Sequence, residues 1–165
     1  MNLRFVSVLA ALALPIAANA EDGWTFGEDA DAYDTVMMLS QAAGNTIKDE
    51  YATKDVTPVL ALRCQPGNPA PGVTIDWMRF ISSFNTEVGF KVDGGKTLWQ
   101  KWGVDNSNKI TDAKSESDIS ALIDAMSAGS TLSVEIAPYS EPPVTVTFDL
   151  EGFADGLEEL KAACE

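Results

Sequence analysis

Thr57-Pro58-Val59-Leu60-Ala61-Leu62-Arg63-Cys64 is the stretch that sets the plan of this chain. Pro58 suits a strand start, because proline cannot donate to a β-ladder, and Leu60, Leu62 and Cys64 then share one face by the two-residue period of a strand. The second cysteine, Cys164, closes the run Leu160-Lys161-Ala162-Ala163-Cys164. Phe153, Leu157, Leu160 and Cys164 recur at helical spacing, which places Cys164 on the apolar stripe of a terminal helix. Both sulfurs therefore face one core. A bridge between them would pin helix to sheet and close a loop of about a hundred residues, worth roughly 4 to 5 kcal/mol in the chain-entropy account. The alternative is two separate buried thiols.

The start of the chain bears on that choice. Arg4 supplies a positive n-region, residues 6–18 form an apolar run, and Ala18-Asn19-Ala20 has the small-x-small pattern of a cleavage site. The run falls short of the ~20 residues needed to span a bilayer, so residues 1–20 read as a signal peptide cleaved after Ala20, with no membrane span afterwards. Residues 21–165 are then one exported domain. Two cysteines in an oxidising compartment such as the periplasm read as a disulfide.

Composition narrows the chemistry. A hydrophobic share of 45% and a charged share of 22% are those of a globular protein. Eleven Lys and Arg against 25 Asp and Glu give a net charge of −14, which repels nucleic-acid phosphates and anionic lipid and suits solubility. Histidine is absent, so Ser-His-Asp, Cys-His and His-metal mechanisms have no base or ligand to work with. Two cysteines alone make a poor zinc site, and no cofactor motif is present.

Along the chain, Trp24-Thr25-Phe26 and residues 33–39 read as the first strands, separated by an acidic turn at 27–31. Residues 41–55 read as a loose strand or loop around Gly44-Asn45. The proline-rich residues 65–72 read as an exposed loop. Val73, Ile75 and Trp77, then Val88, Phe90 and Val92, alternate with polar residues as half-buried strands. Asp93-Gly94-Gly95 predicts a hairpin with residues 97–102. Ile119, Leu122, Ile123 and Met126 make the stripe of a short helix, opened by Ser115 and stopped at Gly129. Leu132, Val134 and Ile136 pair across a turn with Val144, Val146, Phe148 and Leu150. The expected fold is α+β: a mostly antiparallel sheet or sandwich of about seven to nine strands, two helices and one disulfide.

Several of these stretches resemble the VasI/TagO type of exported proteins associated with type VI secretion. They are residues 57–64, the Val88-to-Gly95 strand and turn, the hairpin of residues 132–150, and the ending from Gly152 to Cys164, with Thr-Pro-x-Leu-x-Leu-Arg-Cys and Thr-Phe-Asp-Leu-x-Gly the most specific parts. The resemblance covers about residues 24–164 and implies a non-catalytic accessory protein of the Gram-negative envelope, whose partner is an envelope or secretion-system protein. A second class, a cell-wall hydrolase using paired carboxylates about 5 to 9.5 Å apart, needs no histidine either. No acid pair in the sequence stands in a motif for it.

Candidate surface residues are few. Trp99 and Trp102, with Trp77, could form an aromatic platform, although large aromatics more often fill a core. Arg63 and Lys91 fall on the polar parity of their strands and would form a basic spot if those strands were neighbours. Asp29 with Asp31, and Asp105-Asn106-Ser107-Asn108, offer oxygen ligands but lack the glycine and distal glutamate of a calcium loop, so they read as plain turns.

Overall fold

The computed structural model describes residues 23–29 and 34–165. The proposed signal peptide and the Ala30–Tyr33 stretch lie outside the described residues, and with them part of the first acidic turn and Asp31. A single nine-stranded sheet dominates the fold, and every pairing in it is antiparallel. Its first layer runs from β1 (Thr25–Glu28) and β2 (Met37–Ala42) through β5 (Val59–Gln65) and β6 (Asn68–Asp76) to β9 (Ile110–Asp112). Its second layer runs through β8 (Leu98–Val104), β7 (Thr86–Val92), β10 (Thr131–Ile136) and β11 (Val144–Asp149). The layers join at β8, which pairs with β7 along Leu98–Trp102 and with β9 only at Gly103 and Val104. A small ribbon of β3 (Ile47–Lys48) and β4 (Asp55–Val56) stands apart.

The two ends of this sheet meet, and the contact takes care of an edge. Gly44 N–H donates to Thr147 O (2.8 Å), Thr147 N–H donates to Asn45 Oδ1 (2.9 Å), and Asn45 Nδ2 donates to Thr145 O (3.1 Å). Trp24 Nε1–H reaches Asp149 O at 3.0 Å. The Gly44-Asn45 turn thus satisfies the outer edge of β11, which would otherwise invite pairing with another chain.

Inward-facing residues of both layers form one core with the two helices. From the first layer come Leu39, Leu60, Leu62, Val73 and Ile75, and from the second Val88, Phe90, Leu132, Val134, Ile136, Val146 and Phe148. Helix α1 (Glu116–Ala128) adds Leu122, Ile123 and Met126; the Ser115 hydroxyl caps it by accepting from Asp118 N–H. Helix α2 (Phe153–Cys164) adds Phe153, Leu157, Leu160 and Cys164 and packs on β6, β2, β5 and β1. Gly156 makes that approach possible, since a Cβ there would lie 2.7 Å from Leu39 Cδ1. Cys64 and Cys164 are bridged, with their Cα atoms 6.1 Å apart.

Residues 65–72 form no loop. Pro66-Gly67 is a tight turn with Gly67 at φ 83°, and β6 begins at once at Asn68. Two features allow prolines inside that strand. The ladder passes from Gln65↔Asn68 to Arg63↔Gly72, so Pro69 and Pro71 sit in a bulge where no N–H is owed to β5. On the other side β9 pairs only with Thr74–Asp76. The turn is also occupied, because Gly67 N–H donates to Cys164 O at 2.7 Å, beside the disulfide.

Other boundaries moved for local reasons. Glu28 belongs to β1 and β2 continues to Ala42, because Gln41 pairs across to Leu60. The short strand β9 carries only three residues and shows no readable alternation in the sequence. The hairpin of β7 and β8, the pair of β10 and β11, and both helices lie where the periodicity puts them.

The segment between β6 and β7 crosses the end of the sandwich and is tied down by a buried arginine. Arg79 is 2% exposed; its Nη2 contacts both carboxylate oxygens of Glu141 at 2.6 Å and its Nη1 donates to Lys48 O at 2.7 Å. One guanidinium therefore links three chain segments. Glu141 is 37% exposed, but its removal leaves the buried Arg79 guanidinium with carbonyl partners only, so Glu141→Ala should lower unfolding free energy by about 1 to 3 kcal/mol in urea titrations. Replacing both cysteines by serine should cost about 2 to 5 kcal/mol in the same titration, and reduction of the native protein should give a similar loss.

Candidate functional site

A cleft on the described surface combines charged, hydroxyl and apolar side chains in its lining. It measures about 660 Å³, is open to solvent, and is lined by Lys54, Val56, Thr57, Asp76, Met78, Ser107, Lys109 and Ile110. Its walls come from β4, the ends of β6 and β9, and two turns at 49–54 and 105–110.

Each of those turns is organised around an aspartate. Asp49, only 5% exposed, accepts from Thr53 N–H (2.7 Å), the Thr53 hydroxyl (2.7 Å) and Lys54 N–H (3.3 Å). Asp105 accepts from the Ser107 hydroxyl (2.7 Å) and Ile110 N–H (3.1 Å), and Ser107 Oγ in turn accepts from Lys109 N–H (3.2 Å). Desolvation pushes both carboxyls up, yet the hydrogen bonds to their charged forms win and hold both below the ordinary 3.8. For Asp49 the opposing donors are the Thr53 hydroxyl and N–H, then Lys54 and Tyr51 N–H; for Asp105 they are the Ser107 hydroxyl, then Ile110, Ser107 and Lys109 N–H. Asp105 is thus spent on its own turn. No group of three or more His, Cys, Asp or Glu able to hold a metal occurs among the described residues.

The third wall is equally fixed. Asp76 Oδ1 accepts from Met78 N–H (2.8 Å), Trp77 N–H donates to Lys109 O (3.0 Å), and Trp77 Nε1–H donates to Thr111 Oγ1 (3.0 Å). Met78 is held at φ 56°, a conformation unusual for a side chain of its size, and is 43% exposed. Chemically the cleft offers two ammonium groups, hydroxyls and an apolar floor against a single carboxylate. It contains no nucleophile and base pair.

The residues singled out from sequence do not gather here or anywhere else. Trp102 is 1% exposed, its ring 5.1 Å from that of Phe90 and its Nε1–H donating to Gln100 Oε1, and Trp77 is fully buried. Both belong to the core because their strand parity faces inward, so no three-tryptophan platform exists. Trp99 alone is exposed (54%), and its ring lies over Gly89, where a Cβ would come 2.9 Å from Cζ3. Arg63 and Lys91 are on β5 and β7, with β6, β9 and β8 between them, so they form no basic spot. Arg63 is already engaged by Asp29 (2.9 Å) and the Thr74 hydroxyl (2.6 Å). Lys54 and Lys109, far apart in the sequence, carry no signal of their own. The only trace was Asp105-Asn106-Ser107-Asn108, legible as a turn but not as one wall of a cleft.

Residues 83–161 match the Invasion associated locus B (IalB) protein family. The matched region holds β7 to β11, α1 and most of α2, which is the second layer with the corner strands and helices. Among solved structures, the invasion associated protein B of Bartonella henselae is similar, with a TM-score of 0.51 and 18% identity over 84% of this chain and 92% of that one. That likeness is one of fold. No curated protein matches the chain. The family match therefore falls on IalB rather than on the VasI/TagO type, and neither comparison speaks for type VI secretion.

The pH response of the site follows from its two aspartates. A carboxyl held below its unfolded value stabilises the fold fully above that value, and the contribution is lost as pH falls through the folded pKa. Urea midpoints should therefore drop as pH is lowered below about 3.8, and Asp49→Asn and Asp105→Asn should each be less stable than the parent at pH 6 and show a shallower decline in acid.

Proposed function

We propose that this chain is an exported, non-catalytic interaction protein of the bacterial envelope, of the IalB kind. The observation that carries the reading is the Cys64–Cys164 bridge, which joins β5 to the last residue of α2 and persists only where thiols are kept oxidised. The signal-like start of the sequence fits the same compartment. No helix among the described residues is long and apolar enough to cross a membrane. The match of residues 83–161 and the shared fold with an invasion-associated protein support the IalB kinship. A narrower role in type VI secretion rests on the sequence resemblance alone, whose most specific parts are residues 57–64 and 147–152.

In the cleft Asp76 is the one lining carboxylate, and it is bonded to a backbone N–H. A paired-carboxylate hydrolase would need a second acid across from it. Expressed whole in a Gram-negative host, the protein should appear in the osmotic-shock fraction, begin at Glu21 by mass spectrometry, and show no maleimide-reactive thiol. Cytoplasmic retention with two reactive thiols would overturn the location. Release of fragments from purified cell-wall sacculi, abolished by one Asp or Glu substitution, would overturn the non-catalytic assignment.

A further inference from the structure

We propose that the cleft between the Asp49 and Asp105 turns binds a small molecule that carries an anionic head, phosphate or carboxylate, on a short apolar body.

Charge is the first ground. The whole chain has 25 acids against 11 basic residues, yet the cleft lining holds two lysines against one aspartate. Neither Lys54 nor Lys109 has an ion-pair partner among the described residues, a state they share with Lys91, Lys96 and Lys101, so both ammonium groups are available to a ligand. Asp76, the one acid present, already accepts the Met78 N–H. The lining itself thus carries two positive charges against one negative, beside the ionised Asp49 and Asp105 of its turns, so a small anion would be held by direct contact with the two ammonium groups while the surrounding field disfavours large polyanions.

Shape and rigidity are the second ground. Val56, Ile110 and the half-exposed Met78 supply the apolar floor for a hydrocarbon body, and the Thr57 hydroxyl has no protein partner among the described residues. A volume of about 660 Å³ falls within the range of small-molecule sites, roughly 300 to 1,000 Å³. The backbone bearing each lysine is fixed in advance: Lys54 N–H is held by Asp49, and Lys109 by Ser107 through its N–H and by Trp77 through its carbonyl. The backbone needs no ordering on binding, so the entropic cost is confined to the two lysine side chains.

The test uses the mature, disulfide-intact protein, titrated by NMR at low salt with hexyl phosphate, hexanoate and hexylammonium. Hexyl phosphate, hexanoate or both should shift the amides of Thr57, Met78 and Ile110 saturably, and their relative affinity identifies the head group; hexylammonium should leave those amides unmoved. Lys54→Gln and Lys109→Gln should each weaken binding by up to about fivefold, the effect of a solvent-exposed ion pair, and added salt should weaken it further. Lys101→Gln, which removes an exposed lysine outside the cleft, should leave affinity unchanged, and all three variants should keep the parent unfolding midpoint within experimental error. Absence of binding by both anions, equal binding of hexylammonium, or undiminished affinity in the Lys54→Gln, Lys109→Gln double variant would overturn the assignment. Because none of these outcomes depends on where the protein resides, the site stands or falls separately from the envelope role.

Discussion

The seam between β5 and α2 is the contact on which the rest of the fold depends. Along it Cys64 and Cys164 are bonded, Gly67 N–H meets Cys164 O, and Gly156 admits Leu39 against the helix backbone. A two-layer sheet that splays needs something between its layers, and α2 supplies Phe153, Leu157 and Leu160 to the same core that both layers share. Without the helix, the inner faces of β2, β5 and β6 would lose much of their cover. The covalent bond thus secures the element that completes the core, at the end of the chain where fraying would otherwise begin.

Polar groups do the corresponding job at the opposite rim. Arg79 gathers the β6–β7 segment, Lys48 and Glu141, while Asp49 and Asp105 each tighten a turn by accepting several donors. In all three cases a buried or partly buried charge is matched by directed hydrogen bonds, which is the condition for placing it there at tolerable cost. The cleft is a consequence of these fixed turns. It exists because three irregular segments are held rigidly apart, not because any strand bends to form it.

Much of the fold was legible in the sequence, for reasons visible in the residues. Val144 to Leu150 and Val88 to Val92 alternate cleanly because each strand has one wet and one dry face, and the α2 stripe is strict because that helix lies flat on a sheet. The signal-like start and the count of two cysteines, together with the matching parity of Cys64 and Cys164, anticipate the bridge. Prolines misled at 68–72, where a bulge removes the usual objection to them, and β9 is too short for periodicity to register. Trp102 faces the core although its neighbour Trp99 lies in the open, and composition alone does not separate them. The cleft was not legible at all, since Lys54 and Lys109 line one cleft only through the placing of the β3–β4 ribbon near the ends of β6 and β9.

Hydrogen exchange followed by mass spectrometry, with and without reductant, tests most directly whether the β5–α2 seam secures the domain. On reduction, α2 and the Pro66-Gly67 turn should lose protection first and by the largest factor, while β7, β10 and β11 retain theirs until global unfolding. Unchanged protection of α2 after complete reduction, or loss spread evenly over both layers, would contradict the account.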